Sequence, residues 1–191
     1  MTRCGWRRAK RCGITLAVLL AGFVGYLGWL QVSGNVHTVV RGELYRSAQP
    51  DAQMLEEMVA RNGIRSVINL RGAEEHEGWY REEIATAKRL GLSHADYRMS
   101  ASKDVSAAEA QEIIRLLRDM PKPLLVHCKS GSDRTGLVSA LYLAGVDGSD
   151  EESAEDQLSI YYGHIGVPVL SAAWPMDRSW EAIEHLFGFD S

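Results

Sequence analysis

The nonapeptide His127-Cys128-Lys129-Ser130-Gly131-Ser132-Asp133-Arg134-Thr135 follows directly on Leu124-Leu125-Val126, and no other segment constrains the fold as much. Three consecutive branched apolar residues read as a strand buried on both faces, the situation of a central strand in a parallel sheet. From Arg134 to about Ala144 the sequence reads as a helix. A strand that passes through a short loop into a helix leaves the first helical N–H groups without helical partners. Wrapped into a cup, those groups converge on an anion, aided by the positive end of the helix dipole. Gly131 permits the tight curvature. Arg134 offers a planar fork matched to two phosphate oxygens, and the same positive field favours the thiolate of Cys128.

The remaining sequence supplies the other elements of an α/β domain. Residues 44–50 (LYRSAQP) read as a short strand and turn, and Asp51 caps a helix to Ala60 that stops at Asn62-Gly63. A β-branched strand over 65–70 closes at Arg71-Gly72, and a helix over 79–90 ends at Gly91. A second strand is expected over 92–99, then a helix capped by Ser106 and running to about Met120. After the loop helix, two more helices are expected near 151–162 and 176–187. The expected fold is a central, mostly parallel sheet flanked by helices.

Ahead of this domain, Arg3, Arg7, Arg8, Lys10 and Arg11 place five positive charges before an apolar run, GITLAVLLAGFVGYLGWL. Its eighteen residues are about the minimum for a membrane-spanning helix, with Tyr26 and Trp29 where an interfacial aromatic belt would lie. We therefore expect a basic cytoplasmic head over 1–12, a single-pass anchor over 13–31, a linker over 32–38 and a folded domain over 39–191. The positive-inside rule puts that domain outside the cytoplasm, in the periplasm of a Gram-negative cell. A cleaved signal peptide, with cleavage near Val32-Ser33-Gly34, is the competing reading. The formal net charge of −4 leaves −9 on the part after residue 11, which argues against a nucleic-acid partner. Of the three cysteines, Cys4 and Cys12 precede the apolar run, so Cys128 stands alone in the domain, as a reactive thiol would.

The segment His127, Cys128, Gly131, Arg134, Thr135 meets every fixed position of HCxxGxxR[ST] and resembles the signature of the cysteine-dependent protein tyrosine phosphatase superfamily. With LYRSAQP and Val67-Ile68-Asn69-Leu70-Arg71-Gly72, the likeness covers about residues 39–144 and is similar to small bacterial dual-specificity-like phosphatases, some of them exported. The resemblance implies metal-independent, cofactor-free hydrolysis of a phosphomonoester in two steps. Cys128 would be the nucleophile. Lys129, Ser130, Gly131, Ser132, Asp133 and Arg134 would bind phosphate, Thr135 would donate to the sulfur, and His127 would orient the loop. The general acid implied is Asp104, before the helix that precedes the cysteine strand; capping that helix is its ordinary role. Asp133 is the alternative acid. Asp96, inside an expected strand, more naturally faces solvent or an ion pair.

Other residues have simpler readings. Lys129 suits an additional negative charge on a phospholipid substrate, and equally a solvated rim. Arg71 is placed for a substrate contact, although an ion pair is the commoner fate, and Arg46 is expected to pin the LYRSAQP turn. The acids between Asp147 and Asp156 read as a helix N-terminus, and Trp174, Trp180 and Phe187 as packing residues. The substrate expected is a phosphotyrosine-bearing protein, with a phosphorylated lipid or envelope glycolipid as the second reading. A phospho-binding module without turnover is disfavoured by the intact Cys128 and Arg134, and sulfur transfer by the Gly131-x-x-Arg134-Thr135 spacing.

Overall fold

The computed structural model describes residues 3–189, with side chains from Cys12 onward. The side chains of Cys4 and of the basic head residues lie outside what is described. The chain separates into a unit ending at Ser33 and a unit beginning at Gly34. The first is one helix, α1 (Arg3–Val32), whose 21-residue stretch Cys12–Val32 contains a window with a mean hydropathy of 1.9 and is long and apolar enough to cross a membrane.

In the second unit a five-stranded sheet runs in the order β1 (His37–Val40), β2 (Leu44–Ser47), β5 (Leu124–His127), β3 (Ser66–Asn69), β4 (Ser93–Asp96). Only the β1–β2 pair is antiparallel; β2, β5, β3 and β4 run parallel, as the sequence leads one to expect. The helices are α2 (Ala52–Asn62), α3 (Gly78–Leu90), α4 (Ala107–Asp119), α5 (Asp133–Tyr142), α6 (Glu151–Glu155) and α7 (Trp174–Ile183).

The period-two alternation of a strand sorts the core into two layers. Leu44, Ile68, Leu124 and Val126 point into the layer with α4, α5 and α7, where Ile113, Leu117, Leu141 and Trp180 meet them. Tyr45, Val67 and Leu125 point the other way, onto Leu55 and Met58 of α2. Local chemistry agrees with this arrangement. Asp51 Oδ1 accepts from the Met54 amide at 2.8 Å to start α2, and Gly63 ends it at φ +68°. Ser106 and Glu109 form a reciprocal capping box at the start of α4. Asp150 caps α6, with Glu151 and Glu152 in its first turn, the dipole-complementing role expected of the acidic stretch.

Four details depart from the sequence reading. Residues 37 and 38, expected in a linker, belong to β1, because the polar run pairs with β2 rather than spanning open space. The strand over 92–99 is regular only to Asp96, after which Tyr97 and Met99 donate to Asn69 and Leu70 in a looser extension. The loop helix is regular to Tyr142 and then widens into a π-turn over Leu143–Asp147. The helix expected over 151–162 is only α6 followed by two 3-10 turns that part at the extended Ser159. The carbonyl of Gln157 is claimed by a buried arginine instead of a helical amide, which accounts for that break.

Leu125, fully buried at the middle of the central strand, tests this packing. Leu125→Ala should cost about 2–5 kcal/mol of stability through lost transfer energy and the cavity left behind, read from urea unfolding midpoints.

Candidate functional site

The parallel register brings Ser47, His127, Asn69 and Asp96 to one level at the carboxyl ends of four adjacent strands. The loop of residues 128–132 leaves from this edge, at the centre of the sheet. Its carbonyls are taken in sequence by donors outside the loop. The Gln49 amide donates to the Lys129 carbonyl at 3.3 Å, and Asn35 Nδ2 to that of Ser130 at 3.0 Å. Arg46 Nη2 donates to Gly131 at 2.8 Å and to Ser132 at 3.2 Å. In a trans, planar peptide the N–H points opposite to the C=O. With the carbonyls of 129–132 drawn outward, the amides of 130–133 face the other side, where Cys128 lies. The Gly131 amide does donate to Cys128 Sγ, at 3.3 Å. Gly131 sits at φ +73°, and a Cβ there would fall 2.6–2.8 Å from backbone atoms of Ser47 and Ala48.

Arg46 is fully buried. Its Nη1 donates to the carbonyl and to Oε1 of Gln157, both at 2.9 Å, and its Cζ lies 3.8 Å from the Tyr162 ring centroid. Expected to pin its own turn, it instead reaches under the loop. Burial lowers its pKa to about 10, against the opposing pull of nearby Tyr162, Cys128 and Asp133. It therefore keeps its charge at neutral pH.

His127 is also fully buried, and its Nε2 donates to Glu83 Oε1 at 3.1 Å. The same oxygen is 2.7 Å from His94 Nε2, and Glu83 Oε2 accepts from Gln49 Nε2. Burial alone would raise the Glu83 pKa; the hydrogen bonds from His127, His94 and Gln49 outweigh it and bring it to about 2. Gln49 Oε1 in turn accepts from Arg71 Nη1 at 2.8 Å, and the Arg71 guanidinium lies 3.4 Å over the Trp79 ring. Arg71, expected in an ion pair, is thus held by an amide and an indole. Burial and the neighbouring Arg134 lower its pKa.

Arg134 Nη1 donates to the carbonyls of Leu70 and Met99, each at 3.3 Å, which orients the guanidinium from the ends of β3 and β4. Thr135, expected to donate to the Cys128 sulfur, does not do so here: it is fully buried, and its hydroxyl has no hydrogen-bond partner among the described residues. Lys129 is exposed on the loop. Asp104 and Arg134 line one open cleft of 560 Å³, together with Lys103, Met99 and Tyr97. In it Asp104 Oδ1 accepts from Arg178 Nη2 at 2.6 Å. Asp133 Oδ1 is 2.8 Å from His164 Nδ1. Asp96 is exposed, as expected; it accepts from Asn69 Nδ2 at 2.7 Å and from the Tyr80 hydroxyl at 2.6 Å, and lies 3.9 Å from His94 Nδ1.

Sequence reasoning missed Asn35, Gln49, Glu83, Gln157 and His164. Glu83 left a signal: it lies with Tyr80 and Ala87 on the buried stripe of α3, where a charge needs a partner. Asn35, in what read as a linker, left none.

A strand–loop–helix cradle with a cysteine at its base and an arginine at its rim defines a class of oxyanion-binding thiol sites. The profile of the tyrosine phosphatase family matches residues 27–161, well over half of the chain, and the chain belongs to that family. Dual specificity protein phosphatase TpbA of Pseudomonas aeruginosa is 32% identical over 118 residues, which are 60% of this chain and 49% of that protein. The chain thus spans about half the length of the curated relatives it matches. The crystal structure of P. aeruginosa TpbA superposes with a TM-score of 0.56 at 25% identity, covering 83% of this chain and 86% of that one. A cysteine-to-serine variant of TpbA in complex with phosphotyrosine gives 0.54 at 24% identity, covering 76% and 91%, a likeness of fold.

Two outcomes follow from this geometry. Gly131→Ala meets backbone rather than a flexible side chain, so the loop must shift, at a cost of about 1–3 kcal/mol, with oxyanion affinity lost alongside. Calorimetry with orthophosphate and thermal unfolding measure the two losses. Glu83, with its folded pKa depressed from 4.5 to about 2, contributes stability that is present above pH 4.5 and lost as the pH falls toward 2. Urea titrations across that window should show a shallower acid loss in Glu83→Gln than in the wild type.

Proposed function

We propose that this protein is a membrane-anchored phosphomonoester hydrolase that works through a phosphocysteine on Cys128, with phosphotyrosine-bearing proteins as substrates. The reading rests on one observation above all: four consecutive loop carbonyls are tied outward, so the amides opposite them face the side where Cys128 Sγ lies. A phosphoryl group seated there would have its equatorial oxygens held by those amides and by the Arg134 fork. The Cys128 thiolate attacks phosphorus in line with the leaving oxygen. As the S–P bond forms and the P–O bond breaks, protonated Asp104 gives its proton to that oxygen. Water then attacks phosphorus, Asp104 takes a proton from it, and the S–P bond breaks to release phosphate and thiolate. The buried Thr135 hydroxyl is available to stabilise that departing sulfur.

Asp104 is suited to the acid role by its place on the cleft that Arg134 shares. Its bond to Arg178 joins two half-exposed side chains, the kind of pair that solvent weakens and a substrate can displace. The relative TpbA is a dual specificity phosphatase, and its complex with phosphotyrosine supports the same substrate class here. The apolar stretch Cys12–Val32 and the basic residues before it favour a single-pass anchor with the N-terminus in the cytoplasm and the domain outside.

The full-length chain in detergent, with chelator present, should hydrolyse phosphotyrosine, and Cys128→Ser should abolish turnover. Activity that survives in that variant would sink the mechanism. Asp104→Asn should lower kcat by about 10²-fold or more. A loss of that size in Asp133→Asn, with Asp104→Asn near normal, would move the acid role to Asp133.

A further inference from the structure

Asp133, the first residue of α5, carries its carboxylate on the residue directly before Arg134, near enough to the loop for its charge to act on Arg46 beneath it. A second negative charge at the rim of an anion cradle opposes binding, because like charges a few ångströms apart repel strongly where water is scarce. The chain answers it with His164, only 3% exposed. Its Nδ1 is 2.8 Å from Asp133 Oδ1, and its Nε2 lies 3.0 and 3.1 Å from the two carboxylate oxygens of Asp177 on α7. With Asp133 and Asp177 ionised their oxygens only accept, so both ring nitrogens donate and the ring is an imidazolium. Burial alone would lower the His164 pKa; the bonds to Asp133 and Asp177 outweigh it and raise it. Gly166 leaves the room that Asp177 occupies: a Cβ there would fall 2.0 Å from Asp177 Oδ2. Arg46 also feels the Asp133 charge, but its Nη groups are engaged by Gln157, Gly131 and Ser132. His164 thus bridges two carboxylates, Asp133 on one side and Asp177 on the other. His164 and Asp177 both lie beyond the residues matched by the family profile.

We propose that His164 is a positioning residue for the phosphate loop: bridging Asp133 to Asp177, it cancels the Asp133 charge beside the bound oxyanion and fixes that carboxylate in place. The inference rests on the reading of the loop as an oxyanion cradle.

Binding of inorganic phosphate to the full-length chain in detergent, read by calorimetry, tests this without turnover. His164→Gln should weaken phosphate binding about tenfold, because Asp133 is left as an uncompensated anion at the rim. Asp133→Asn/His164→Gln should recover most of that loss, since the offending charge is gone. A merely structural role for His164 predicts the opposite, a double variant as weak as the single one, and that result would overturn the proposal. So would a His164→Gln protein that binds phosphate as tightly as the wild type. If His164→Gln does not fold, the ¹⁵N shifts of the wild-type imidazole decide. Protons on both nitrogens are expected, and a neutral ring refutes the bridge. A wild-type chain that does not bind phosphate removes the cradle itself, and the proposed function falls with it.

Discussion

A short loop carries as many backbone acceptors as donors, and which edge it turns toward a ligand decides whether it attracts an anion or repels one. Here that orientation is imposed from behind. Arg46, Asn35 and the Gln49 amide hold the carbonyls of residues 129–132, and planarity does the rest. Burying a guanidinium is costly, as its lowered pKa of about 10 reflects. Four oxygen contacts and the face of Tyr162 offset that cost. Lysine, a point charge without the planar fork, could not span Gln157, Gly131 and Ser132 at once.

The same logic extends to the charges around the loop. The domain's net negative charge works against any phosphorylated substrate at long range. Near the loop, three carboxylates are acceptors for fixed donors: Glu83 for His127, His94 and Gln49; Asp133 for His164; Asp96 for Asn69 and Tyr80. Arg134 and Arg71 by contrast are held by neutral groups, the first by two carbonyls and the second by an amide and an indole. Positive charge is left for a ligand and negative charge is consumed within the fold.

The sequence carries the elements that depend on local chemistry. The strand–loop–helix around Cys128, the Asp51 and Ser106 caps and the parallel order all follow from periodicity and capping residues that lie within a few positions of one another. What it hides are partners brought together over long separations. Arg46 meets Gln157 across 111 positions, and Glu83 meets His127 across 44. No local pattern encodes such pairs, although a glutamate on the buried stripe of α3 announces that a partner exists. The edge strand β1 was hidden for a different reason: its polar composition fits a linker until β2 supplies the pairing. The expected helix over 151–162 failed for the same long-range reason, since propensity could not foresee that Arg46 would claim the Gln157 carbonyl.

That broken segment alters what counts as the smallest working piece of this protein. The signature motif ends at Thr135, yet Gln157 and Tyr162 brace Arg46, and the Gln157 carbonyl packs so close to Gly136 that a Cβ there would lie 2.7 Å from it. Residues some twenty-five positions downstream are therefore the back wall of the loop. A transplant of the nine-residue motif, or a chain trimmed after the loop helix, would keep every signature residue and lose the scaffold that aims them.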